Sequence, residues 1–270
     1  MSIAKRKRSP LLIAGIIIMT LAVAFASWFS SSFRRDLSDD EILERLEPGT
    51  ATRDIQHALS QLEARLSPKY DGRERFREKV IALASNEHVA IRRQVAWVMG
   101  REPGYRERLV PMLDDADVGV QFNAALSLSN SSDPRARPVL LAALRPVNVV
   151  APASGTLEIK VDVSDEASLG YALGLVKTDS GDVDVRPPLS GVIESFPKGK
   201  DGPVSKGDVV ALLAAAPTTV NNALVALKFV GRKSDLPAIR PFVNGGGFGG
   251  DAGKQIRLSA ERAVDAIERR

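Results

Sequence analysis

The sequence repeats itself at an offset of 29. Val89, Ile91, Arg92, Val95, Ala96, Trp97 and Met99 return as Val118, Val120, Gln121, Ala124, Ala125, Leu126 and Leu128. Ile91, Val95 and Met99 share one helical face, as do Val120, Ala124 and Leu128, because side chains four apart stand one above the other. Each stretch follows a turn, Asn86-Glu87 or Asp114-Asp115, whose side chains suit a helix start. From Ser38 to about Leu144, Pro or Gly at 48, 49, 68, 72, 100, 103, 104 and 134 cut the chain into short amphipathic helices. Helical units recurring at such a period bury their apolar faces only against neighbouring units, so this region is expected to form a solenoid.

The repeated stretch resembles the HEAT-like repeats, in which an acidic turn leads to a hydrophobic-x-hydrophobic-Arg stretch and then small alanines. Here it reads Asn86-Glu87-His88-Val89-Ala90-Ile91-Arg92 ahead of Ala96, and Asp117-Val118-Gly119-Val120-Gln121 ahead of Ala124-Ala125. Gln121 stands where that pattern has Arg, so its contacts are expected to differ. Ser132-Asp133-Pro134-Arg135-Ala136-Arg137-Pro138-Val139 is echoed by Ser234-Asp235-Leu236-Pro237-Ala238-Ile239-Arg240-Pro241-Phe242. Ile256-Arg257, followed by Ala260 and Ala263, reads as another second helix. Residues 217–270 are thus expected to add one and a half to two repeats after an interruption. Some HEAT-like proteins are metal-dependent hydroxylases with several His-Glu pairs, whereas this chain has one Glu87-His88 in reverse order at a helix start. Others are chromophore lyases, and no sequence feature here points to a tetrapyrrole pocket.

Between Val147 and Leu213 the periodicity switches to short alternating strands rich in Val, Leu and Ile, bounded by Gly, Pro, Asp and Ser. This stretch repeats at an offset of 36: Pro152-Ala153-Ser154-Gly155-Thr156-Leu157-Glu158 against Pro188-Leu189-Ser190-Gly191-Val192-Ile193-Glu194. Gly155 and Gly191 suit tight bends where a strand turns a corner.

Two such halves joined by a hairpin resemble the biotinyl/lipoyl domain, or barrel-sandwich hybrid. Gly202-Pro203-Val204-Ser205-Lys206-Gly207-Asp208-Val209-Val210 is similar to that family's G-x-V-x-K-G-D-x-hydrophobic ending, with Gly207 and Asp208 in its turn. Leu175-Val176-Lys177-Thr178-Asp179-Ser180-Gly181-Asp182-Val183-Asp184-Val185 is similar to the lipoyl hairpin I-E-T-D-K-A-x-V-x-V. The resemblance puts Ser180 at the position of the modified lysine, and a serine cannot form the amide that carries lipoate or biotin. Lys177, out of register, is a remote candidate for modification. The first half departs from the family, with Ser164-Asp165-Glu166-Ala167-Ser168 where a Val-x-x-Gly loop is usual. Non-carrier versions resemble the hybrid domain of periplasmic membrane-fusion adaptors, but the segment 177–184 has no room for their long helical hairpin.

Lys5, Arg6, Lys7 and Arg8 precede nineteen uncharged residues, Leu11 to Phe29, interrupted only by Thr20 and Ser27 among polar residues. As a helix this run is roughly 28 Å long, near the hydrocarbon thickness of a bilayer. Leu11, Ile16, Ile17 and Ile18 supply its apolar body, and Trp28 and Phe29 suit the far interface. Ala24-Phe25-Ala26 also fits a small-x-small cleavage site, which would release a secreted protein. In either case the positive-inside rule keeps residues 5–8 in the cytoplasm and exports the body.

The chain carries 37 Lys+Arg against 33 Asp+Glu, a net charge of +4. Residues 1–35 hold six of the basic residues and no acid, which leaves 31 basic against 33 acidic in the body. The charge is a topology signal rather than a basic face, and with only 5% aromatic residues it argues against nucleic-acid binding. The absence of cysteine excludes disulfides, thiolate zinc, iron–sulfur ligation and a cysteine nucleophile. Only His57 and His88 are available for a histidine metal centre or a triad, and no G-x-S-x-G occurs. The glycines from Gly245 to Gly250 run on to Gly253-Lys254, but Phe248 and Gln255 break the phosphate-loop pattern and an inter-helix loop is expected. Arg73 to Lys79 alternates in sign and reads as a solvated face.

The expected architecture is α+β: a basic segment at 1–10, an anchor at 11–29, a linker at 30–37, HEAT-like repeats at 38–146, an inserted all-β hybrid domain at 147–214, and further repeats at 217–270. The expected role is a single-pass, extracytoplasmic, non-enzymatic scaffold without cofactor, metal or small-molecule substrate, serving a protein partner in an inner-membrane complex. A transporter adaptor and a lipoyl- or biotin-type carrier subunit are the alternatives.

Overall fold

The computed structural model describes residues 36–66 and 70–270. The expected anchor, with Leu11, Ile16, Ile17, Ile18, Trp28 and Phe29, and the cleavage motif lie outside the described residues. Among the described residues no helix is long and apolar enough to cross a membrane. The fold is α+β, with short helices on either side of two antiparallel sheets.

The helices are α1 (Asp39–Arg45), α2 (Thr52–Arg65), α3 (Arg77–Leu83), α4 (Val89–Met99), α5 (Arg106–Leu109), α6 (Val118–Ser129), α7 (Arg137–Ala142), α8 (Pro217–Val230), α9 (Leu236–Ile239) and α10 (Gly250–Glu268). Several first helices are short because a 3-10 turn leads into them, as at Arg73–Phe76, Pro103–Tyr105 and Pro134–Ala136. The helices pair as α1/α2, α3/α4, α5/α6, α7/α8 and α9/α10, and the five pairs share one continuous apolar core. Ile91, Val95, Met99, Val120, Ala124 and Leu128, the residues that recur in sequence, are all fully buried within it.

The period reappears in the loops. Asn86 Oδ1 accepts from His88 N at 2.9 Å, and Asp115 Oδ1 accepts from Asp117 N at 2.8 Å, the same Asx turn in successive repeats. Arg92 Nη1 donates to Asn86 O at 2.8 Å, and Gln121 Nε2 donates to Asp115 O at 2.6 Å. Gln121 therefore keeps the local bond of the arginine it replaces. What it loses is the reach to the next repeat, where Arg92 meets Asp115 at 2.7 and 2.9 Å. The next connection between a first and a second helix after Gln121 is the strand region itself, because β1 (Val147–Val150) starts just after α7 and β8 (Val209–Ala215) ends just before α8.

A second ladder links first helices. Arg77 donates to Gly104 O at 2.7 Å, Arg106 to Asp133 at 2.6 Å, and Arg137 to Asp235 at 2.6 and 2.8 Å. The first two rungs join neighbours along the chain, whereas the third reaches across the entire strand region, so the helical stacking continues past it without changing its pattern. This is possible because β1 and β8 are antiparallel neighbours, with Val147 opposite Leu213. The strand unit enters and leaves at one place, and to the helices it acts as a short loop.

Between them lie β2 (Gly155–Ile159), β3 (Glu166–Ala167), β4 (Gly174–Thr178), β5 (Gly181–Val185), β6 (Gly191–Ser195) and β7 (Asp201–Val204). The sheets have the orders β1-β8-β6-β3 and β5-β4-β2-β7. Exchanging β1 with β5, β2 with β6, β3 with β7 and β4 with β8 converts one order into the other, so the repeat at 36 is a pseudo-twofold. Its apolar core, including Val149, Leu157, Val176, Ile193 and Leu213, is separate from the helical one. The unit meets the helices through Pro188, whose carbonyl accepts from Arg93 at 3.0 Å, and through Leu189, which borders a small cavity of about 150 Å³ with Phe122, Val139 and Ala143.

Candidate functional site

Two regions are candidates: the hairpin and turns of the strand unit, and the second helices, because a solenoid offers an extended surface along its repeats. Ser180 is the second residue of the two-residue turn joining β4 to β5, and it is exposed. The turn is held by Thr178, whose hydroxyl donates to Gly181 O at 2.7 Å and accepts from Ser180 N at 3.2 Å. Lys177 lies on the strand rather than the tip, 2.7 Å from Glu158 of β2. The hydrogen bond to Glu158, its charge and the nearby Asp182 and Asp201 hold the Lys177 ammonium above its ordinary range. A protonated, ion-paired amine is a poor acceptor for acyl attachment.

The twofold accounts for the shared residues of the two halves. Ser154 Oγ accepts from Lys206 N at 2.9 Å, and Ser190 Oγ accepts from Leu169 N at 3.2 Å, the same bond in each half. Gly155 and Gly191 follow the bends at 152–154 and 188–189. Each opens a strand where the neighbour passes so close that a Cβ would lie 2.1 Å from Lys177 O or 2.2 Å from Ala214 O. Gly207, at φ +90°, belongs to a turn in which Asp208 accepts from Ser205 N at 2.9 Å and from Lys198 at 3.0 Å. The Ser205 N–H and then Lys198 hold the Asp208 carboxyl below its usual range.

The first half has the same turn, later than expected. Gly170 also sits at φ +90°, and Tyr171 N donates to Ser168 O at 3.2 Å as Asp208 N does to Ser205 O at 3.0 Å. Ala167-Ser168-Leu169-Gly170 is therefore the counterpart of Val204-Ser205-Lys206-Gly207, and the expected gap at Ser164 to Ser168 is filled by the next few residues.

The second helices form an ordered row. Gln94 donates to Gln56 O at 2.9 Å, Asn123 to Arg93 O at 2.9 Å, Ser127 to Ala96 O at 2.8 Å and Ser259 to Asn221 Oδ1 at 2.7 Å. These bonds tie α2 to α4, α4 to α6, and α8 to α10. Among the described residues none joins α6 to α8, the step across the insertion. A trough of about 210 Å³ opens there, lined by Trp97, Leu126, Val225 and Phe229 with Asn130 and Asn222 at its rim. Trp97, Val225 and Phe229 are each 40–44% exposed, which is unusual for a cluster of large apolar side chains. The Arg101 guanidinium stacks 4.8 Å from the Trp97 ring centre, and the Lys228 ammonium 4.7 Å from that of Phe229. The sequence reading missed this cluster as a unit because α8 lies far along the chain from α4 and α6. The recurrence of Trp97 as Leu126 was its one visible trace.

Neither histidine joins a site. His57 bonds Arg45 at 2.9 Å and Gln61 at 2.9 Å, and His88 is 55% exposed beside Glu87. Among the described residues there is no cluster of His, Cys, Asp or Glu that could hold a metal.

Residues 77–153 match a family model described as HEAT repeats. This chain is similar to HEAT repeats over that span, which runs from α3 through α7 and β1. No curated protein matches it at a significant level. Helices α1, α2 and α8 to α10 lie outside that match and join the array through the shared core, and the arginine ladder reaches Asp235 at the start of α9.

Proposed function

We propose that this chain is a non-enzymatic scaffold that binds a protein partner along its row of second helices, next to the inserted strand unit. The observation that carries this reading is the trough at Trp97, Leu126, Val225 and Phe229, an apolar surface that the fold leaves open at its interrupted step. The row is otherwise cross-bonded, so the trough presents preorganised anchors, which lowers the ordering cost of association.

The strand unit supports a biotinyl/lipoyl-type reading without the carrier lysine. Two four-stranded sheets related by a pseudo-twofold, first and last strands adjacent in one and a tight hairpin in the other, agree with that resemblance. In the hairpin, Ser180 occupies the tip and Lys177 is paired with Glu158. The unit is then a second contact element, with no swinging arm. The two-residue turn at Asp179-Ser180 carries no helical hairpin, which weighs against a membrane-fusion adaptor of the usual build. The apolar run at 11–29 and the basic flank at 5–8 support a single-pass anchor that holds the body outside the cytoplasm beside an inner-membrane complex.

A photo-crosslinking amino acid placed at Val225 in the native full chain, expressed at its normal level, should capture a protein neighbour. The same group at Glu78, exposed on α3, should not. Absence of any protein adduct at Val225 would remove the scaffold reading.

A further inference from the structure

We infer that the occupant of the Trp97–Phe229 trough is a peptide segment of a partner protein in which two apolar anchors are flanked by acidic residues. The inference rests on the scaffold reading and specifies its ligand. Phe229 also borders a larger open pocket of about 430 Å³ at the α8–α10 edge, shared with Arg232, Lys233 and Arg270. At the other end, Arg101 and Asn130 border a pocket of about 200 Å³ together with Arg106. The three hollows thus adjoin one another through shared lining residues and make one channel-like surface, apolar in the middle and with basic side chains on either side.

Its one lining carboxylate is buried rather than offered to a ligand, with Glu102 Oε2 lacking a hydrogen-bond partner. Glu102, the single acidic residue lining any of the three, is 7% exposed and lies beside Arg77 and Arg73 at 3.7 and 3.9 Å. Asp133 lies fully buried beneath, bound to Arg106 and Arg135. Glu63 offsets Arg101 at one flank. At the other flank, among the described residues, no carboxylate is paired with Lys228, Arg232, Lys233 or Arg270; Arg270 donates instead to the carbonyls of Gly231 and Lys228. Residues 216–270 hold nine basic and five acidic side chains, whereas residues 147–215 hold six and ten. Lys228, Arg232, Lys233 and Arg270 therefore border the trough on its α8 side, and the field there favours a ligand of opposite sign.

The middle of the channel distinguishes peptide from nucleic acid. Aliphatic Leu126 and Val225 lie between the two aromatic rings, and Arg101 and Lys228 already cover those rings, which leaves little face for base stacking. Asn130 and Asn222 at the rim can bond an extended main chain. Neighbouring helices stand about 8–10 Å apart, so the crossing from α4 to α8 is roughly 20 Å, about six extended residues.

The test selects twelve-residue peptides from a random display library against the detergent-solubilised full chain, then titrates fluorescein-labelled copies of the enriched peptides. Expected are peptides with two large apolar residues within six positions and several flanking Asp or Glu. Their Kd should rise about tenfold or more in Trp97→Ala and in Val225→Asn, both at exposed positions. It should rise several-fold in Arg232→Glu/Lys233→Glu, and the binding should weaken with added NaCl. Enriched peptides that are neutral or basic but still sensitive to Trp97→Ala would overturn the acidic ligand and leave the scaffold reading standing. Recovery of no peptide, or of peptides indifferent to Trp97→Ala and Val225→Asn, would overturn both. A labelled oligo-dT that binds the same channel more tightly than any peptide, with the same variant sensitivity, would replace the peptide by nucleic acid.

Discussion

The rung between Arg137 and Asp235 carries the helical array past the insertion, and its two ends are unequally buried. The Asp235 side chain is 3% exposed and that of Arg137 is 24% exposed. Asp235 accepts from Arg137 Nε at 2.6 Å and Nη2 at 2.8 Å, and from Arg232 N at 2.8 Å. Removing one partner of a buried pair costs about 3–5 kcal/mol, and the cost depends on what is stranded. Arg137→Met strands a carboxylate with almost no access to water and should cost about 3–4 kcal/mol. Asp235→Ala strands a guanidinium that water can partly reach, so about 2–3 kcal/mol is expected. The double variant, with neither charge left, should be less destabilised than Arg137→Met alone. Urea unfolding of the full chain, followed by circular dichroism, gives the order. Hydrogen exchange gives the place: in a nearest-neighbour array the lost protection should concentrate in α9 and α10. If Asp235→Ala costs more than Arg137→Met, or if the strand unit rather than α9 and α10 loses protection, the assignment of this rung as an inter-repeat tie is wrong.

Three further outcomes are expected. For Asp235, burial raises the carboxyl pKa but is outweighed by Arg137 and the Arg232 N–H, and the net shift is downward; Asp115 is also lowered, mainly by Arg92. Carboxyls depressed in the folded state contribute stability that is complete above their unfolded pKa of about 4 and is lost as pH falls through the folded value. Stability should thus be level above about pH 5 and decline in acid, less steeply in Asp235→Ala; an unchanged slope in that variant would contradict the shift. Gly191→Ala, which places a Cβ 2.2 Å from Ala214 O, should destabilise the β6–β8 pairing by more than Gly207→Ala, where φ +90° alone opposes a side chain at about 1 kcal/mol; equal unfolding midpoints would refute the close-approach argument. Intact-mass measurement of the native protein should show no lipoyl or biotinyl increment, and an adduct on Lys177 would restore the carrier reading.

Much of the helical region was legible because its signal is local. A four-residue apolar period and an Asx turn are decided within a dozen residues, and both recur from one repeat to the next, at Asn86 and at Asp115. The strand repeat was legible for the same reason, although its alignment slips in the first half, where Ser168-Leu169-Gly170 rather than the residues before it provide the turn. Gly155 and Gly191 stand out in the sequence as residues at a bend, which is half of what holds them. The other half is the carbonyl of a partner strand distant in sequence, and local sequence does not display a partner's backbone. Gln121 is visible as a departure, but its meaning needed the structure: it borders the cavity that Val147 and Leu189 of the insertion also line, where Arg92 meets Asp115.

The sequence by itself determined the units: helical pairs with a period of 29, a duplicated strand segment at 36, and a terminal apolar run behind a basic flank. These follow from periodicity and turn chemistry, which act between near neighbours. Tertiary structure decided how the units combine. Pairing of β1 with β8 lets α8 stack on α6 as though the strand unit were absent, and between these two helices, which no side-chain hydrogen bond joins among the described residues, the trough between Trp97 and Phe229 opens. Those two side chains, on opposite sides of the insertion in sequence, line one trough only because a folded insertion returns the chain to its point of departure, a closure no local pattern specifies.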